Sequence, residues 1–286
     1  MRTQFIAAAE NWLAANASMS PLQRSRLAGL IPLLLDTLPD QTPFVIGLSG
    51  PPGTGKSTIA GACCAALQSN NVSSLVVSLD DYYLPAVQRE RLAQTEHPLF
   101  RVRGVPGTHE LDLLKSQVLA LCDPGHTEIL MPRFDKSIDD RLPEPEVLPA
   151  GFRPQVIVIE GWMIGVPPQD QRALRASVNA LESEHDPDGD WRLRVNNYLR
   201  HYFNALDPLL DGRWTLLAPD WNTVIDWRWQ QEREGGPGLL ASRAGIGKFL
   251  DHYQRLCQHM QESASHWADA IIQLDKNHLP ANVSAQ

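Results

Sequence analysis

The eight residues Gly50–Ser57, GPPGTGKS, constrain this chain more than any other stretch. They satisfy G-x-x-x-x-G-K-[ST] at every constrained position. An apolar, β-rich run, Pro43–Ser49 (PFVIGLS), leads into them, and a helical pattern, Lys56–Gln68, leads out. The context is therefore strand, glycine-rich turn, helix. Gly50, Gly53 and Gly55 let the backbone turn so that successive N–H groups point inward. The helix N-terminus adds its partial positive charge to the same spot. A concave ring of N–H donors beside a lysine is a site for phosphate oxygens.

Gly50, Pro51, Pro52, Gly53, Thr54, Gly55, Lys56, Ser57 and Thr58 are thus expected to form a nucleotide phosphate site. Lys56 would reach the β- and γ-phosphates, and Ser57 would offer its hydroxyl to Mg²⁺. A guanine reader of the form Asn-Lys-x-Asp is missing, since Asp275–His278 (DKNH) has the wrong order. ATP is the favoured nucleotide.

Four more β-rich runs follow: Leu75–Leu79, Gln155–Ile159, Trp214–Ala218 and Ala270–Leu274. Several are continuously apolar, as strands buried on both faces are. Helical stripes lie between them, over Glu110–Leu121, residues 193–210 and residues 246–260. This alternation predicts a three-layer α/β domain over 43–286 with a mostly parallel, five-stranded sheet. Residues 1–42 read as a helical extension, with Ser20 and Pro21 as a helix start and Pro39 as a stop. Pro85–Thr108 and Pro132–Pro154 are proline-rich and weakly periodic, so both read as long functional loops. Glu182–Asp190 (ESEHDPDGD) reads as an exposed acidic connection.

Composition narrows the function class. Of the 286 residues, 33 are acidic and 25 basic, for a net charge of −8. Residues 139–190 alone hold 11 acids and 4 bases, so the acidity is local. This balance disfavours a general nucleic-acid binder and a polybasic membrane anchor. No apolar run reaches membrane-spanning length, and the N-terminus does not read as a signal or transit peptide. Cys63, Cys64, Cys122 and Cys257 form no CxxC pair and read as free thiols in a cytoplasmic protein.

Two strands end in acids. Leu75–Leu84 reads LVVSLDDYYL and places Asp80 and Asp81 just past a strand. Val156–Gly161 reads VIVIEG and places Glu160 at another strand end. In a parallel sheet the carboxyl ends of strands line the ligand crevice. A carboxylate there can accept a proton from a hydroxyl attacking the γ-phosphate, or help hold Mg²⁺. Either acid could also be a turn or cap residue.

The ordered set GPPGTGKS, SLDDYY and VIVIEGW resembles the P-loop small-molecule kinases, the group with uridine kinase, phosphoribulokinase and pantothenate kinase. Within it, RGVPGTHEL (103–111), PRFDKS (132–137), EGWMIG (160–165), VNNYL (195–199) and DWNTVIDWRWQQE (220–232) look most like the D-glycerate 3-kinases. The resemblance runs from about Phe44 to near the C-terminus. It implies the P-loop NTPase fold, ATP and Mg²⁺ as cofactors, and a small, anionic hydroxyl acceptor, D-glycerate first among candidates. Asp80 would be the general base. Ser57, Asp80 and Glu160 would surround Mg²⁺. Arg103, Thr108, His109, Arg133 and Lys136 would meet the acceptor, with insertions near 85–110 and 132–154 shaping its pocket. Residues 221–240 would form a helical lid, with Arg228 over the transferring phosphate.

Plainer readings stand beside these. A lone Arg or His can be a surface ion pair, and Thr108 can be a helix cap. The cluster Trp214, Trp221, Trp227 and Trp229 suits core packing better than base stacking. The same fold could serve a nucleoside, a pantothenate-like acid or a sugar. A non-catalytic ATP-binding regulator is the remaining alternative. The oligomeric state is not legible.

Overall fold

The computed structural model describes residues 2–36, 42–123, 125–234 and 242–285. Two helices come first, α1 (Arg2–Asn16) and α2 (Pro21–Leu35). Ser20 caps α2 through a reciprocal box: its hydroxyl accepts from the Gln23 amide, and the Gln23 side chain accepts from the Ser20 amide. Then β1 (Phe44–Ser49) runs into the phosphate loop and α3 (Lys56–Gln68). There follow β2 (Ser74–Ser78), α4 (Ala86–Thr95) and α5 (Leu111–Cys122). Four short strands come next: β3 (Ile129–Met131), β4 (Phe134–Asp135), β5 (Asp140–Arg141) and β6 (Glu146–Leu148). The chain continues with β7 (Val156–Glu160), α6 (Ala180–His185), α7 (Asp190–Leu206) and β8 (Gly212–Leu217). It ends with α8 (Trp221–Glu234), α9 (Arg243–Ser263), β9 (Ala270–Leu274) and β10 (Pro280–Ala285).

The main sheet has the order β2–β7–β1–β8–β9–β10 and is parallel except for β10. All five strands read from the sequence are in it. A sixth strand beyond the expected five, β10, has the sequence PANVSA, with no apolar run to mark it. It forms by folding back antiparallel on β9 after a turn at residues 275–279. β1 and β7, each with a parallel neighbour on both sides, are buried along their whole length, which is why they read as continuous apolar runs.

Three expectations need correction. The segment after Pro85 is not irregular: it forms α4, a mostly polar helix whose buried residues are only Arg89 and Ala93. Residues 129–148 form an antiparallel ribbon, with β3 paired to β6 and β4 paired to β5 inside it. The acidic 182–190 stretch is not simply exposed. Glu182 is buried against Arg255, and Asp186 is buried against Arg192. Carboxylates enter the interior here because each meets a guanidinium. The Pro39 stop lies outside the described residues, and α2 already ends at Leu35.

The helical extension is part of the core. Ala9, Leu13, Leu27, Ile31 and Leu34 join one apolar cluster with α3 and the sheet. Among the described residues, no helix is long and apolar enough to cross a membrane.

Candidate active site

Sheet register levels three strand ends. Leu48 of β1 lies opposite Glu160 of β7, and Glu160 lies opposite Ser78 of β2. The chain leaves β1 into the phosphate loop and leaves β2 into Asp80. Loop, Glu160 and Asp80 therefore emerge side by side on one edge of the sheet.

The loop holds itself open. Thr54 Oγ1 donates to the Pro51 carbonyl at 2.8 Å, and Lys56 Nζ donates to the same oxygen at 3.0 Å. Lys56 is held below its ordinary pKa by burial, against the opposing pull of Glu160 and Asp80. Gly53 has φ +82°, and a Cβ there would lie 3.1 Å from Trp227 Cβ. A side chain at this position would be both strained and crowded against α8.

Glu160 is 5% exposed and accepts at one oxygen from Ser57 Oγ (2.8 Å) and Ser78 Oγ (2.7 Å). A buried carboxylate with only hydroxyl partners is suited to a cation. Among the described residues, no three His, Cys, Asp or Glu side chains form a metal cage. Magnesium at phosphate sites needs only one or two protein ligands, so a Ser57–Glu160 pair fits it.

Asp80 is gripped from two sides. Tyr83 Oη donates to Oδ1 at 2.7 Å, and Lys136 Nζ donates to Oδ2 at 2.6 Å. Burial alone would push this carboxyl up. Lys136, Tyr83 and Lys56 together overcome that and hold it below the usual carboxylate range.

A cleft of about 530 Å³ runs across these groups. Pro52, Gly53, Gly55, Lys56, Ser57, Thr58, Asp80, Arg103, Lys136, Glu160 and Arg228 line it. Gly50, Pro51 and Thr54 do not, and are buried. Arg228, on α8, pairs with Glu232, while Arg233 is exposed and does not line the cleft. The 235–240 part of the expected lid lies outside the described residues.

Three expected acceptor residues are not brought into the cleft. Thr108 is fully buried and serves its own loop, donating to the Val105 carbonyl and accepting from the Gly104 amide. It does not cap α5, whose N-cap is Glu110. His109 is buried behind Tyr83, its ring 4.6 Å from the tyrosine ring, with Nδ1 against Tyr202 Oη. Burial pushes its pKa down to about 3, so it is neutral there. Arg133 pairs with Asp81 and Glu146 and ties the ribbon to the turn after β2.

The cleft also recruits residues that sequence reasoning gave no role. Beside Asp80 and Arg103, Tyr83, Trp162, Phe249 and Tyr253 form an aromatic wall. At the other end lie Asn16–Met19 from the α1–α2 turn and Lys276–His278 from the β9–β10 turn. His278 stacks on Trp227 at 3.9 Å and bonds the Gly53 carbonyl at 2.9 Å. Trp227 Nε1 donates to the Lys276 carbonyl at 3.1 Å. Trp214 is core, and Trp227 packs α8 onto the phosphate loop. Tyr83 had a readable signal, its place in the DDYY string. Tyr253, 170 positions on in α9, had none.

No protein-family model matches the chain. It is 36% identical over 232 residues to the "Uncharacterized kinase mug58" of Schizosaccharomyces pombe, covering 75% of this chain and 80% of that protein. It is 30% identical over 227 residues to the chloroplastic D-glycerate 3-kinase of Arabidopsis thaliana, covering 75% of this chain but only 47% of the plant protein. Among solved structures, the D-glycerate 3-kinase of Cryptococcus neoformans superposes with TM-score 0.71 at 22% identity, over 94% of this chain and 100% of that one. That structure shares the fold, and both sequence relatives are named as kinases. The chain belongs to the P-loop small-molecule kinases, in the group that resembles D-glycerate 3-kinase.

Proposed function

We propose that this kinase transfers the γ-phosphoryl group of ATP to a hydroxyl of a small, anionic metabolite, with D-glycerate the leading acceptor. One observation carries the reading: Asp80 shares a single cleft with the phosphate loop and with Arg103 and Lys136. A phosphate cradle, a carboxylate able to take a proton and a guanidinium for an acid group are thus within one space, with Lys136 holding the carboxylate. The D-glycerate 3-kinases among the relatives and fold neighbours support the choice of acceptor.

The residues divide the work. Loop amides and Lys56 bind phosphate oxygens and orient them toward Asp80. Magnesium, held through Ser57 and Glu160 with Asp80 nearby, would neutralise charge on the β- and γ-oxygens. Asp80 accepts the proton of the attacking hydroxyl, and its depressed pKa keeps it ionised and ready at neutral pH. Tyr83 fixes the carboxylate's orientation through its 2.7 Å bond. Arg228 leaves Glu232 and meets the phosphoryl group in transfer. The aromatic wall excludes water from the acceptor end. The nucleotide base is assigned to the far end of the cleft, where the α1–α2 and β9–β10 turns line it beyond the phosphate loop.

The test is ADP release with Mg-ATP and D-glycerate, comparing the wild type with Asp80→Asn. The variant should lose transfer by at least about a hundredfold, the usual range for a general base, while ATP affinity holds. Undiminished turnover would refute the role of Asp80, and no response to D-glycerate would refute the acceptor.

A further inference from the structure

The acceptor end of the cleft carries a charge that can be counted. Asp139 lies in the turn between β4 and β5 with φ +55°, a strained conformation for a side-chain-bearing residue. Its Oδ2 lies 2.9 Å from Arg89 Nη2, and its Oδ1 accepts from Arg103 Nη1. Arg89 is 3% exposed and further tied to the carbonyls of Leu84, Arg101 and Asp139. It cannot turn to solvent. Arg103 lines the cleft, with its guanidinium 5.7 Å above the Phe134 ring. Its loop is pinned by Tyr253, whose hydroxyl donates to the Arg103 carbonyl, and by Trp162, whose indole donates to the Gly104 carbonyl.

Two arginines therefore share one carboxylate, which leaves one positive charge. Lys136 and Asp80 cancel each other. Tyr83 and Tyr253 are neutral phenols, both pushed up by burial. Glu160 faces Ser57 and the phosphate loop, and Asp81 and Glu146 are taken by Arg133 away from the cleft. A surplus charge in a half-buried, aromatic-walled site asks for one opposite charge in the ligand.

We propose that Asp139 sets the acceptor's charge: it cancels one of two arginines, so that the site takes a hydroxy acid with a single negative charge. This rests on the assignment of that end of the cleft to the acceptor. A neutral polyol leaves the surplus guanidinium charge unpaired. A dianion brings a second charge with no partner. Asp139 acts through Arg103 and does not itself touch the acceptor, so it is a positioning and selectivity residue.

The experiment uses a series that changes charge at nearly constant shape: glycerol and glycerate as acceptors with Mg-ATP, and tartronate, whose second carboxylate replaces the primary hydroxyl, as a competitive inhibitor of glycerate turnover. For the wild type, kcat/KM for glycerate should exceed that for glycerol by at least about tenfold, and the Ki of tartronate should exceed the KM for glycerate by at least about tenfold, about 1.4 kcal/mol each. Asp139→Asn frees the second positive charge and should lower the ratio of tartronate Ki to glycerate KM by at least about tenfold. Asp139→Glu keeps the charge and should keep the wild-type ratios. A purely structural role would weaken all three compounds together and leave the ratios unmoved, which overturns the proposal. Turnover of glycerol by the wild type as good as that of glycerate, or a tartronate Ki at or below the glycerate KM, overturns it without any variant. No turnover of glycerol or glycerate by the wild type overturns the acceptor assignment as well.

Discussion

Replacing Gly53 and Gly55 separately by alanine distinguishes an α8 docked on the phosphate loop from one that stands off it. Both glycines have a left-handed backbone, φ +82° and +83°. An L-residue there costs about 1–2 kcal/mol. Their surroundings differ. A Cβ at Gly55 meets nothing within 4 Å, whereas one at Gly53 would lie 3.1 Å from Trp227 Cβ and 3.3 Å from the Arg228 amide nitrogen. Trp227 cannot retreat freely, because it is 4% exposed, stacked on His278 and bonded to the Lys276 carbonyl. Overpacking of this kind adds about 1–3 kcal/mol. Gly53→Ala should therefore cost roughly 2–5 kcal/mol and Gly55→Ala roughly 1–2 kcal/mol in the nucleotide-free protein. At about 2 °C per kcal/mol for a chain of this size, the Tm losses are about 4–10 °C and about 2–4 °C. Thermal unfolding followed by circular dichroism reads both. Equal losses would refute the packing of Trp227 on the loop, and with it the placement of Arg228 over the cleft.

Two other outcomes follow from the geometry. Asp80 must be ionised to accept a proton, and its pKa lies below the usual carboxylate range, so wild-type kcat/KM should stay flat down through about pH 4. Lys136→Met removes the largest of the effects that counter burial, so the acid limb should move to higher pH by at least about one unit; an unmoved limb in the pH profile would mean that Lys136 does not control Asp80. Glu182→Gln leaves Arg255 charged and buried without its partner, and should lower the unfolding free energy by about 3–5 kcal/mol in urea titration; a loss under about 1 kcal/mol would mean that water reaches the pair.

The legible parts of the site were those whose chemistry is local. The phosphate loop is eight contiguous residues whose glycines, lysine and serine act together through one turn. Asp80 and Glu160 were legible because a strand end is a sequence-local event, an apolar run that stops at an acid. Arg103 and Lys136 came from motif resemblance and do reach the cleft. Thr108, His109 and Arg133 came the same way and do not, because burial and pairing with near neighbours claim their polar atoms first. The polar helix α4 and the short ribbon strands were missed because neither presents an apolar stripe. The acidic 182–190 stretch misled because the arginine that buries Glu182 is 73 positions away.

Sequence alone determined the fold class and the phosphate chemistry, since buried parallel strands and a glycine-rich turn are written in runs of adjacent residues. Tertiary structure decided which cations face the cleft beside Asp80, which carboxylates cancel them and what lines the two ends of the cleft. Those outcomes depend on contacts such as Asp139 to Arg89, Tyr253 to Arg103 and His278 to Gly53. Charge pairing and stacking act over a few ångströms in space, and no spacing along the chain encodes them.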